Sequence, residues 1–151
     1  MNWPAHKFPT PNSMQRKQIG VILFNGFMLS ELCRLVDAFR PAETAAGDGS
    51  GCALPYKVIL LSAGGGRIAS ATSVFVWTER IDIAQPAFLY HALFVMSGSG
   101  LQSALTDTRL FKWMQRAASS GEQIVATAST RQRLRAAGLH AIAPPAVRKF
   151  R

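Results

Sequence analysis

At 151 residues, 48% of them hydrophobic, the chain has the length of a single domain with a sizeable buried core. Its apolar runs, such as residues 20–24 and 58–61, fall far short of the roughly 20 residues that span a bilayer, which excludes a membrane helix. The net charge of +9 invites a nucleic-acid role, yet residues 18–130 hold eight basic and eight acidic side chains and sum to zero, so the excess lies in the ends.

Residues 1–17 contain Pro4, Pro9 and Pro11 and no apolar block, so they read as a flexible basic leader rather than a secretory signal, and a cytoplasmic location is expected. Residues 18–24 (QIGVILF) form a continuous apolar run of strand length, the pattern of a central parallel strand covered on both faces. Asn25 and Gly26 break it. A helix is predicted over residues 30–40, with Ser30 as N-cap, Pro41 beyond the end, and Leu29, Leu32, Cys33, Val36 and Phe39 on an apolar face that buries the Cys33 thiol. Residues 44–54 are a Gly/Ala/Ser loop carrying Cys52. Two cysteines at this spacing exclude a disulfide framework and a zinc site.

Residues 56–62 (YKVILLS) are a second buried strand, ended by Gly64, Gly65 and Gly66, which lack the spacing of a dinucleotide fingerprint, so no cofactor is implied. Residues 67–77 alternate in the manner of a short hairpin or edge strand. Residues 92–96 (ALFVM) are a third buried strand, followed by Ser97, Gly98, Ser99 and Gly100. Asp107 opens a helix with Leu110, Phe111, Met114, Ala117 and Ala118 on one face, closed by Gly121. Residues 123–127 are a fourth strand, and a helix over residues 130–137 is stopped by Gly138. Trp77, Trp113 and Phe111 are expected in the core or at an interface. The alternation of strand and helix predicts an open, mostly parallel α/β sheet with helices on both faces, flavodoxin-like. Ligands then bind beyond the carboxyl ends of the strands, among residues 25–31, 62–66, 97–100 and 128–130.

Four segments, IGVILFNGFMLSELCRLVDAF (19–39), YKVILLSAGGGRI (56–68), LFVMSGSG (93–100) and LFKWMQRAASSGEQIVATAS (110–129), with Ala137, Gly138 and Leu139 after them, resemble in order and wording the class I glutamine amidotransferase-like, PfpI-type domain. More narrowly they look like the version at the N-terminus of AraC-type transcriptional regulators. The resemblance covers residues 18–139 and leaves residues 140–151 as a basic tail without counterpart. It implies a nucleophilic cysteine at the elbow after the fourth strand and a histidine about a strand further on. Here Ala128 stands at the nucleophile position with Ser129 beside it, His140 comes too early, and His6 and His91 are poor partners. Arg131, Gln132, Arg133 and Arg135 replace mostly apolar family positions, and the chain stops before the closing strands and the helix-turn-helix half.

The expectation is therefore a non-catalytic, ligand-sensing and dimerisation domain of an AraC-type regulator, without catalytic or metal-binding residues. Its partners are a small polar metabolite and a second copy or a full-length relative, with DNA engaged only indirectly and no membrane. The candidate ligand-binding residues are Glu31, Ser97, Gly98, Ser99, Gly100, Ala128 and Ser129. Each has a plainer reading: Glu31 as a carboxylate favoured at a helix N-terminus, residues 97–100 as a turn needing flexible glycines rather than an anion-binding nest. Arg131, Arg133 and Arg135 follow no single helix face and read as a solvated stretch. Two alternatives stay open: a hydrolase of the same fold using Ser129 or Cys33, which needs a positioned base, and a truncated or frame-disrupted gene remnant.

Overall fold

The computed structural model describes residues 17–39, 56–81, 90–119 and 123–144. In chain order these form β1 (Lys17–Ile22), α1 (Leu29–Ala38), β2 (Tyr56–Ser62), β3 (Gly66–Ala69), β4 (Phe75–Arg80), β5 (Tyr90–Val95), α2 (Leu101–Thr106), α3 (Thr108–Ser119), β6 (Gln123–Val125) and α4 (Ala128–Ala136). One six-stranded sheet results, in the order β3-β4-β2-β1-β5-β6, and all its pairings are parallel except the β3–β4 hairpin. The architecture is the predicted flavodoxin-like one.

β1 explains its own composition. It is flanked on both sides, by β2 (Val21 opposite Leu60) and by β5 (Val21 opposite Phe94), and Ile19, Val21 and Ile22 are fully buried. A strand without a solvent face needs no polar alternation. At the sheet edge, the β3–β4 hairpin is tied to β2 through a buried hydroxyl chain. Ser62 Oγ bonds Thr78 Oγ1 at 2.6 Å, and Thr78 Oγ1 donates to the Gly66 carbonyl at 2.8 Å, so each buried hydroxyl has a partner.

Helix α3 buries Leu110, Trp113, Met114 and Ala117, a stripe at helical spacing. It starts where Asp107 predicts: Asp107 Oδ1 accepts from the backbone N–H groups of Arg109 (3.0 Å) and Leu110 (3.4 Å). α4 ends at Gly138 (φ +94°) in a Schellman turn, with Leu139 N–H donating to the Leu134 carbonyl and Gly138 N–H to that of Arg135. The chain then returns along β6: Ala126 N–H donates to the Ile142 carbonyl and Ile142 N–H to that of Ile124, with Leu139 and Ala141 buried. Among the described residues no helix is long and apolar enough to cross a membrane.

Several local expectations change. α1 begins at Leu29 with Met28 at the cap, so Ser30 sits inside the first turn and caps nothing. Its inward line runs through Leu32, half-buried Leu35 and on to Phe39, which meets Tyr56 and Phe94 edge-on at 5.2 and 5.7 Å. That line turns Cys33 and Val36 outward, so the Cys33 thiol is exposed rather than buried. Trp77 is 77% exposed because it lies on the face of β4 opposite buried Thr78, whereas Trp113 is core. Helix α2 had no counterpart in the sequence reading: at six residues with only Leu101 fully buried, it is too short for periodicity to reveal. Pro41, Cys52, Gly121 and His6 lie outside the described residues.

One register irregularity has an energetic consequence. Between Gln18–Tyr90 and Ile19–Ala92 the pairing skips His91, a bulge that leaves His91 exposed and Tyr90 buried against Trp113, ring centroids 6.0 Å apart. The Tyr90 hydroxyl has no hydrogen-bond partner among the described residues. Burial, and secondarily the negative charge of Glu79, push its pKa up to about 12. The folded state thus holds this proton more tightly than the unfolded chain, so the associated stability is complete below pH 10 and is lost as pH rises towards 12. Tyr90→Phe is expected to raise stability at pH 8 by about 1 kcal/mol, since an orphaned buried hydroxyl is removed. Its advantage over the parent should widen by about 2 kcal/mol at pH 11.5; urea unfolding of both proteins at the two pH values measures this.

Candidate functional site

Three loops meet beyond the carboxyl ends of β1, β3 and β5, and backbone bonds around Phe27 hold them together. Phe27 itself is fully buried and forms single bridges to both Ser70 and Gly98. Gly26 N–H donates to the Ala69 carbonyl (2.8 Å), Ala71 N–H to the Phe27 carbonyl (2.9 Å) and Met28 N–H to the Ser97 carbonyl (3.0 Å). The Asn25 side-chain oxygen accepts from Ala69 N–H at 3.0 Å. Such close approach dictates the glycines. A Cβ on Gly98, whose φ is +152°, would overlap the Gly26 carbonyl oxygen, and one on Gly100 would overlap that of Asn25.

Glu31, in the first turn of α1, spans 66 residues to clamp the loop after β5. Its carboxylate accepts from Ser97 N–H (3.3 Å to Oε1) and from the Ser97 hydroxyl (to Oε2). Both oxygens are engaged by one residue, and charge-assisted bonds of this kind are the stronger class. The carboxylate therefore serves to position the loop, while the N-terminal end of α1 favours its charge.

Beside this clamp lies an open cleft of about 380 Å³, lined by Met28, Ala71, Ser97, Gly98, Ser99, Leu101, Ser129, Thr130 and Arg133. Of the seven candidate residues, Ser97, Gly98, Ser99 and Ser129 face it. Glu31 supports it from behind Ser97, and Ala128 does not line it. Gly100 borders a neighbouring cleft of about 420 Å³ instead, with Gly64, Gly65, Arg67 and Asp107 among its walls. The elbow differs from expectation in one respect. α4 starts at Ala128 with Thr127 at its cap, so Ala128, Ser129 and Thr130 form the first helical turn rather than a preceding loop. Arg133 is exposed, as expected of a solvated stretch, and in addition lines the cleft. The overlooked signal is its spacing of four from Ser129, which puts both on one side of α4.

Among the described residues, the cleft lining contains no histidine, cysteine or carboxylate. His91 lies at the opposite, amino end of β5, and His140 is exposed after α4. Cys33 is on the outward side of α1 and does not line the cleft. Among the described residues no three His, Cys, Asp or Glu side chains gather as a metal site.

The fold is similar to that of solved DJ-1 and ThiJ/PfpI proteins. Three solved structures carry that likeness. A THiJ/PfpI family protein from Pseudomonas syringae superposes with a TM-score of 0.65 at 18% identity, covering 92% of this chain and 52% of that one. Oxidized DJ-1 from Toxoplasma gondii gives 0.60 at 14% identity, covering 81% and 61%. The VC2308 protein gives 0.58 at 21% identity, covering 76% and 54%. At these identities the shared property is the fold, and the chain spans little more than half the length of these neighbours. No protein-family model matches the chain, and no curated protein matches it in sequence.

Proposed function

We infer that this chain is a non-catalytic sensor and dimerisation module of the kind found in AraC-type regulators, and that the cleft beside Ser97 and Ser129 binds a small polar metabolite. One observation carries the reading: the elbow after β6 presents Ala128, with no attacking atom, and the neighbouring Ser129 faces a cleft where none of the described lining residues is able to take its proton. The Glu31 carboxylate, on the far side of Ser97 from the cleft lining, accepts both the backbone and the hydroxyl hydrogen bond of Ser97. Fold likeness to DJ-1/ThiJ/PfpI proteins and the resemblance of the four sequence segments to the N-terminal domain of AraC-type regulators are its other supports. In such a regulator, a ligand biases how paired subunits present separate DNA-binding domains, which requires different affinities for two states. Isologous pairing with a second copy completes the proposal.

The decisive test is chemical. After exposure of the chain to an activated ester and a fluorophosphonate, intact-mass and peptide analysis should find Ser129 unmodified and no turnover above the uncatalysed rate. Ester hydrolysis that disappears in Ser129→Ala would establish an enzyme and overturn the inference.

A further inference from the structure

The cleft identifies a ligand class more narrowly than a small polar metabolite, on the premise that the cleft is a ligand site at all. Among the described residues, Arg133 is the only charged one in its lining. One of its terminal nitrogens, Nη1, donates to Gln102 Oε1 at 3.3 Å, which steadies the guanidinium and leaves its other N–H donors available. The hydroxyls of Ser99 and Ser129 make no hydrogen bond to the described residues and border the same space, while Met28, Ala71 and Leu101 supply short apolar walls. The second charge nearby is negative: the Glu31 carboxylate, held directly behind Ser97. Arg133 and Glu31 together sum to zero, so a dianion such as phosphate would leave two negative charges uncompensated. A monoanion pairs with Arg133 and leaves only one, and a planar carboxylate matches the fork of a guanidinium.

From this we propose that the cleft binds a short-chain monocarboxylate. Arg133 takes the carboxylate, Ser99 and Ser129 hydrogen-bond it or an adjacent oxygen, and Met28, Ala71 and Leu101 cover the short hydrocarbon part. The volume of about 380 Å³ admits a ligand of this size with room to spare.

Three near-isosteric probes isolate the charge: propionate, propionamide and propylammonium, titrated into the full chain at constant ionic strength and followed by thermal shift and calorimetry. Propionate should raise the melting temperature saturably, with the other two at least tenfold weaker. Arg133→Gln should weaken propionate at least tenfold. Arg131→Gln and Arg135→Gln, which change net charge equally, should leave it within twofold, and inorganic phosphate should bind more weakly than propionate. Equal loss in all three arginine variants would reduce the effect to general electrostatics and overturn the proposal. So would phosphate binding more tightly than propionate. Saturable binding of propionamide or propylammonium, indifferent to Arg133→Gln, would overturn the carboxylate assignment while leaving the sensor reading intact. Silence from all the probes at millimolar concentration defeats the carboxylate assignment, and the sensor reading falls separately if a broad panel of amino acids, amines and betaines also gives no shift.

Discussion

Gly98→Ala is expected to lower the free energy of unfolding by about 3–5 kcal/mol, among the largest effects available to a single methyl group in this chain. Two costs combine. At φ +152° a side chain occupies a backbone region open essentially to glycine, a strain of order 1–3 kcal/mol. The added Cβ also overlaps the Gly26 carbonyl and comes within 2.8 Å of Phe27 Cα, so backbone rather than a flexible side chain must give way. Overpacking of that sort costs about 1–3 kcal/mol more. Gly100→Ala carries only the second cost, against the Asn25 carbonyl, and should fall lower in the range. Gly64→Ala provides the control, because a Cβ there meets nothing within 4 Å, and its effect should stay within about 0.5 kcal/mol. Urea denaturation of the three variants ranks them. A Gly98→Ala protein as stable as Gly64→Ala would mean that the turn after β5 is not packed against residues 25–27 as described.

The glycines also mark how far the amino-acid sequence can be read unaided. Residues 97–100 stood out as a turn with two possible meanings, ligand nest or flexible corner, and local composition cannot separate those. Their close packing on residues 25–27 is a contact between segments some seventy positions apart. The same distance hides the Glu31–Ser97 clamp: both residues were singled out, yet nothing in either segment says that one grips the other. Features decided within a few residues fared differently. The apolar run of β1, the Asp107 cap and the Gly138 stop are each set by neighbouring backbone groups, and each is where periodicity and capping chemistry place it. Cys33 and Val36 failed for a related reason. A helix with leucines at 29, 32 and 35 offers two overlapping apolar lines, and only the position of the sheet selects the one through Leu32 and Phe39. The place of Arg133 in the cleft follows from Ser129, one helical turn away, and not from the alternation of Arg131, Arg133 and Arg135.

Phe27→Ala is the second substitution with a large expected effect, about 3–5 kcal/mol, the usual cost of emptying a fully buried aromatic site. Phe27→Leu, which fills most of the volume, should cost about 1–2 kcal/mol. The informative part is where the loss is felt. The backbone of Phe27 bridges Ser70 on one side and Gly98 on the other, so its ring anchors the residue at which the loops after β1, β3 and β5 converge. Removing it should loosen those loops before the sheet. Hydrogen exchange can resolve this: the amides of Gly26, Met28 and Ala71, bonded across the loops, should exchange at least tenfold faster relative to the amide of Met96, which is bonded to the Ile22 carbonyl at the end of the sheet. Uniform acceleration of all four would indicate that the loops and the sheet open as one unit. In that case the cleft would have no independent freedom, and a ligand could shift populations there only by working against the stability of the whole fold.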